Sequence, residues 1–233
     1  MTARKTFLVL FLIVFSNVFF LFAGDMASFV DLGFSADGRT YAFAQYGVRS
    51  GTLRPWAELF IVDVPRNNFV QGGRLSYVHD SSIAAGQDGS GAFYRLIAGN
   101  TSIIERNGIN YLNQGQPLFI SLDEPNSPPV QSIEFRDFES GAFYRASINS
   151  WTQGNGENLT SSFEINLERT ARDGSRRTYT VGTPSVRRPQ IVSYRIRKVI
   201  TAPNNDSMIL LIEMKRQNGA DFDIRFMVEA LRL

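Results

Sequence analysis

The stretch from Phe29 to Val64 limits this chain more than any other, because it spells three strand-length runs with a tight turn between the first two. Asp37-Gly38 marks that turn. Glycine takes a positive φ without steric cost, and the short carboxylate bonds the backbone beside it. Before the turn stand Phe29, Val30, Leu32 and Phe34. After it, Tyr41 and Phe43 share one face while Ala42, Ala44 and Tyr46 share the other. Leu59 to Val64 is almost continuously apolar, as in a strand covered on both faces. Run length alone leaves a helix open there; the β-branched residues and Pro65 favour a strand. The loop Gly47 to Pro55, rich in Gly, Arg and Pro, is expected to be exposed.

The rest of the chain continues in strand-length pieces. Pro65 to Gly73 reads as polar turns and Leu75 to His79 as a short strand. One segment has helical spacing: Phe93, Leu96, Ile97, Ile103 and Ile104 fall on one stripe, with Asn100 among them. Asp88 or Ser90 opens this helix and Asn107-Gly108 ends it, while Gly99 inside weakens it by ~1 kcal/mol against alanine. Pro117 to Leu122 is a strand, followed by the breaker Asp123 to Pro129. Residues 131 to 151 hold one or two strands. The hexapeptide Ser90-Gly-Ala-Phe-Tyr-Arg95 recurs there as Ser140 to Arg145, with unrelated flanks, so it reads as coincidence rather than duplication. A hairpin follows. Phe163, Ile165 and Leu167 alternate with polar residues, Arg172-Asp173-Gly174 turns, and Tyr179 and Val181 return. Ile191 to Val199, Met208 to Met214 and Phe222 to Ala230 complete the set. Met208 to Met214 is the most apolar and is expected at the centre. In the last run Phe222, Ile224, Phe226 and Val228 face one way; Asp223, Arg225 and Glu229 face the other.

About ten strands and one amphipathic helix make an all-β pattern. The expected architecture is a β-sandwich or a partly open, propeller-like assembly of meanders. A small closed β-propeller is the alternative, but a ring takes at least about four blades of four strands, and only the two ends of this chain look like blades. Those ends carry a resemblance. Phe34-Ser-Ala-Asp-Gly-Arg-Thr-Tyr-Ala-Phe43, followed by Leu59-Phe-Ile-Val-Asp-Val64, resembles the blade motif of TolB-like β-propellers, with Ala36 where the motif has proline. A weaker copy runs from Ile196 through Pro203 and Asp206 to Val228, without the glycine. The order of these parts also resembles a family of predicted secreted bacterial proteins of unknown function, of spirochaete type. That resemblance implies export and a β-rich domain, and no catalytic or binding residue.

Export is written into the first 24 residues. Arg4 and Lys5 precede an apolar run from Phe7 to Ala23, and Ala23-Gly24 offers small residues for cleavage. The expectation is a signal peptide over residues 1–24 and one β-rich domain over 25–233. The run also sits at the short edge of the roughly 17–25 residues that span a bilayer, so an uncleaved anchor is the alternative. Either way the destination is periplasmic or secreted. With 0 cysteines there is neither a lipidated cysteine nor a disulfide, and the core alone holds the domain. Without Arg4 and Lys5 the 24 basic residues become 22, against 22 acidic ones, so the mature chain is formally neutral. Nucleic-acid binding therefore lacks its electrostatic footprint.

The chemistry on offer is thin. The only histidine, His79, next to Asp80, leaves no zinc cluster and no Gly-x-Ser-x-Gly nucleophile for a triad. No phosphate-binding loop or calcium loop is present, and no cofactor is expected. Carboxylates remain: Asp123 and Glu124, then Glu134, Asp137 and Glu139, which serve equally as solvated strand and turn residues. The one skewed region is basic. Arg172, Arg176, Arg177, Arg187 and Arg188, continued by Arg195, Arg197 and Lys198, have only Glu168 and Asp173 as near acids. They form either a patch for an anionic glycan, lipid headgroup or acidic partner, or outward arginines paired elsewhere in the fold. Trp56, beside Arg54 and Pro55, is either a contact aromatic or core. The reading is a non-enzymatic binding or interaction module of the cell envelope, with an envelope protein or glycan as partner. The alternative is a carboxylate-dependent hydrolase of envelope polysaccharide.

Overall fold

A computed structural model describes residues 24–123 and 127–233; all of the expected export signal except Gly24 lies outside them. The chain opens with a meander of β1 (Ser28–Ser35), β2 (Thr40–Val48), β3 (Pro55–Asp63) and β4 (Asn68–Val78). Helices α1 (Ser90–Ala98) and α2 (Thr101–Arg106) follow, and β5 (Ile109–Asn110) returns to the free edge of β1. This is sheet I, in the order β4-β3-β2-β1-β5. After β6 (Gln116–Ile120) comes a second meander, β7 (Ser132–Arg136), β8 (Phe143–Gln153), β9 (Thr160–Thr170) and β10 (Arg176–Val181). It forms sheet II, in which β11 (Arg188–Pro189) also pairs with β9. The third meander, β12 (Ile191–Thr201), β13 (Ser207–Asn218) and β14 (Asp221–Arg232), takes β6 on its open edge as sheet III. Every pair within the sheets is antiparallel.

Three apolar cores join these parts into layers. Leu32, Ala42, Ala44, Leu59 and Ile61 of sheet I pack under Ala92, Leu96, Ile103 and Ile104 of the helices. The other face of sheet I, with Phe34, Tyr41, Phe43 and Val62, meets Ile209, Leu211, Val228 and Ala230 of sheet III. The opposite face of sheet III, with Ile196, Leu210 and Ile212, meets Tyr144, Phe163, Ile165 and Leu167 of sheet II. The order through the molecule is helices, sheet I, sheet III, sheet II. Sheet III is central, and Ser207 to Glu213 of β13 are buried without interruption, as their apolar run requires. The stack ends at the outer face of sheet II, where Glu134, Arg145 and Trp151 are exposed. No sheet closes on itself, so the protein is a layered assembly of open meanders and the closed propeller is not formed.

The Asp37-Gly38 turn forms as read. Gly38 has φ +68°, its N–H donates to Ser35 O at 3.0 Å, and Asp37 Oδ1 takes the Ser35 hydroxyl at 2.6 Å. The hairpin around Asp173-Gly174 and the stop at Asn107-Gly108 also form, the latter with Asn107 Nδ2 donating to Ile103 O at 2.8 Å. Two features differ from expectation. The single helix is two, because Asn100 leaves the helical region (φ −133°) and its side-chain amide donates to Leu96 O at 2.7 Å. β4 begins at Asn68, inside the segment read as turns; its polar residues lie on an edge strand, where they meet water. Asp223 and Glu229, on the polar side of β14, are buried as well.

Candidate functional site

A pocket of about 460 Å³ opens where β3 and β4 of sheet I face the β13–β14 hairpin of sheet III. Arg49 to Thr52, in the β2–β3 loop, rim it. Its floor is a network that ties the start of the described chain to both sheets. Residues 25–27 run beside β14, with Ala27 N–H donating to Ile224 O at 3.1 Å and Ile224 N–H to Asp25 O at 2.9 Å. That places the Asp25 side chain beside Trp56, whose Nε1 donates to Asp25 Oδ2 at 2.7 Å. Arg225 Nη2 meets the same oxygen at 2.6 Å and lies 3.8 Å from Asp223 Oδ2. Its guanidinium stacks over the Trp56 ring, 4.2 Å from the centroid, a cation–π contact.

Asp223 is the hub. It accepts from the Asp25 N–H at 3.0 Å, from Arg216 Nη2 at 2.6 Å and from Asn218 Nδ2 at 3.3 Å. The β13–β14 register makes this possible, since Arg216 lies directly opposite Asp223. The two carboxyls are pushed apart. Burial drives the Asp25 carboxyl above its ordinary range, against the pull of Arg225 and Trp56, and the Asp223 charge adds to the rise. Asp223 meets the same burial, but Arg216, the Asp25 N–H and Asn218 overcome it and hold its carboxyl below the usual range. Above the floor the lining is polar: Glu58, which accepts from Gln45 Nε2 at 2.7 Å, with Ser76, Tyr77 and the loop hydroxyls. Three acids (Asp25, Glu58, Asp223) and three arginines (Arg49, Arg216, Arg225) balance the charge.

Trp56, singled out from the sequence, forms part of this wall and is 5% exposed. The basic residues do not gather. Arg188 pairs with Ser161 at one end of β9 and Arg176 with Thr170 at the other. At strand rise that separates them by about 30 Å. Arg172, Arg176 and Arg177 are exposed at the hairpin turn and Arg187 is exposed at the far end. Arg188 lies over the Phe163 ring and 4.0 Å from Glu229. Arg195 donates to Ser127 O. Arg197 pairs with Glu213 at 3.2 Å, and Lys198 with Asp31 at 3.2 Å.

Three of the surface acids have local partners. Glu134 pairs with Arg145 at 2.6 Å, Asp137 caps the turn before β8, and Asp123 takes the Ser121 hydroxyl; Glu124 lies outside the described residues. The ring of His79 meets the Tyr77 hydroxyl at 3.0 Å. Among the described residues no three acids or histidines are grouped to hold a metal ion, and no helix is long and apolar enough to cross a membrane.

Asp25, Arg216, Asp223 and Arg225 were not legible as a site from the sequence. Their only local sign is Asp223 and Arg225 two residues apart in a strand, hence on one face. No curated protein matches this chain. Residues 42–232 match the model of a family described as predicted secreted protein (DUF2259), from within β2 to the end of β14. The chain belongs to this family of predicted secreted proteins.

Proposed function

We propose that this protein is a non-enzymatic binding module of the bacterial envelope, exported by residues 1–24 to the periplasm or beyond, whose blade-like meanders frame a pocket for a saccharide unit of an envelope glycan. The observation that carries the reading is the charge-balanced pocket lined by Arg49, Thr52, Glu58 and Tyr77 over an immobilised ion-pair floor. A fixed floor recognises without reorganising, which favours binding of neutral hydroxyls. The family description and the N-terminal pattern support export.

The hydrolase alternative needs two carboxyls facing each other across a cleft at about 5–9.5 Å. Asp25 and Asp223 are instead joined through the Asp25 N–H and a shared Arg225, and are 4% and 1% exposed. This supports recognition over hydrolysis.

Calorimetric titration of the chain from residue 25 with envelope oligosaccharides tests the reading. Saturable binding is expected, and Arg49→Ala is expected to weaken it about tenfold or more, the scale of one hydrogen bond to a charged group. Absence of binding to every fragment, or an affinity that Arg49→Ala leaves unchanged, removes the pocket. Loss in Arg187→Ala/Arg188→Ala instead moves recognition to the β11 edge, and shortened products revive the hydrolase.

A further inference from the structure

Asp25 offers more than a side chain to the network. Its backbone nitrogen is buried against a carboxylate oxygen, Asp223 Oδ1, at 3.0 Å. Its own Oδ1 is also buried and has no hydrogen-bond partner among the described residues. The arginines leave both atoms aside: Arg216 engages Asp223 Oδ2, and Arg225 engages Asp25 Oδ2. The Asp223 carboxylate thus stands at the Asp25 nitrogen, which as an amide donates only once. An ammonium nitrogen donates three times.

We propose that the mature protein begins at Asp25 and that its α-ammonium group pairs with Asp223 Oδ1, a buried ion pair that locks the new N-terminus to sheet III. The inference rests on the export reading and adds what cleavage does for the fold. A signal endopeptidase adds water across the Gly24–Asp25 bond, leaving Gly24 with a carboxylate and Asp25 with an ammonium. This happens before the sheets close. In the folded protein Asp25 is 4% exposed, and the Gly24 backbone is so close to β14 that an added Cβ would lie 1.6 Å from Phe222 O. Cleavage needs an accessible bond, and the Gly24–Asp25 bond is held against β14. The charged or titratable groups around the site are Asp223, Arg216 and Arg225 from sheet III and Glu58 from sheet I, with Arg49 and Tyr77 farther up the pocket wall. Cutting adds one positive charge beside the Asp223 carboxylate.

The first residue of the exported protein, read by mass spectrometry from the envelope or medium, is expected to be Asp25. An exported chain with another first residue, or an uncut one, overturns this inference and leaves export standing; retention in the cytoplasm removes both. The ion pair is tested on two chains, one starting at Asp25 and one with a single glycine before it, which keeps the amide. At pH 7 the Asp25 chain is expected to melt about 3–6 °C higher, the shift that a pair of ordinary strength gives at this size. An ammonium that gains a carboxylate partner holds its proton more tightly, so the pair's contribution is complete below the α-amino group's ordinary value of about 7.7–8.0 and is lost as pH climbs through the folded value. The gap should therefore close at high pH, and it should vanish at pH 7 in Asp223→Asn. The pH arm uses unaltered residues, so it decides even if that variant does not fold. Equal melting at pH 7, or a gap that persists at high pH, overturns the ion pair.

Discussion

At the residue scale, the molecule is distinguished by acids it buries. Glu229 on β14 is 5% exposed, accepts from Asn67 Nδ2 at 2.5 Å and has Arg188 at 4.0 Å. Burial pushes its carboxyl above the ordinary range, and the Asn67 hydrogen bond and Arg188 recover only part of that rise. The sign follows from proton linkage. A raised folded pKa means the native state binds more protons than the unfolded chain above pH 4.5, so stability falls as pH rises through that window. Glu229→Gln keeps an acceptor for Asn67 and removes the ionisation. Its stability relative to the parent is expected to rise with pH above 4.5, by less than one proton's slope of about 1.4 kcal/mol per pH unit. Urea unfolding between pH 4 and 7 measures this; parallel profiles would show that folding leaves the proton affinity of Glu229 unchanged. Asp223 has the opposite sign, since its lowered carboxyl stabilises above its ordinary range and that stability is lost on acidification. None of this was visible beforehand, because a polar residue on an alternating strand looks the same whether it meets water or an arginine from another strand.

The element scale is where one short sequence adopts two structures. Ser90 to Arg95 lies in α1, and the same six residues at 140–145 form a turn and the start of β8. Tyr94 is 66% exposed while Tyr144 is 2% exposed and stacks on Phe135. The glycines separate the two: Gly141 takes φ +74° and Gly91 stays in the helix with open space around it. The same substitution is therefore expected to have opposite signs. Gly91→Ala should stabilise by up to about 1 kcal/mol, since alanine is the better helix former and narrows the unfolded ensemble. Gly141→Ala should destabilise by about 1–2 kcal/mol, the cost of a left-handed conformation for a residue with a Cβ. Chemical denaturation of both variants checks the pair, and equal signs would refute the account. Hairpins and turns were readable because their determinants lie within a few residues. Helix against strand in the hexapeptide was decided by flanks and by what each tyrosine meets.

For the whole molecule, the determining fact is that the last meander in sequence is the middle layer in space. Ile209 points into the core shared with sheet I and Leu210 into the core shared with sheet II. Ile209→Ala and Leu210→Ala are each expected to cost about 2–5 kcal/mol, since both sites are enclosed and unable to collapse around a cavity. Leu122→Ala, at a residue 91% exposed, should stay within about 0.5 kcal/mol of the parent. Equilibrium unfolding separates these outcomes, and a mild Leu210→Ala would mean that sheet II docks loosely. Most strands, their main turns and the central place of β13 were readable from the sequence, because alternation and turn chemistry act between near neighbours, whereas the start of β4 and the break at Asn100 were not. The tertiary structure alone decided the layer order and the pocket. Which apolar face meets which carries no local mark, and Asp25, Trp56, Arg216, Asp223 and Arg225 are brought together only when sheets I and III close on each other.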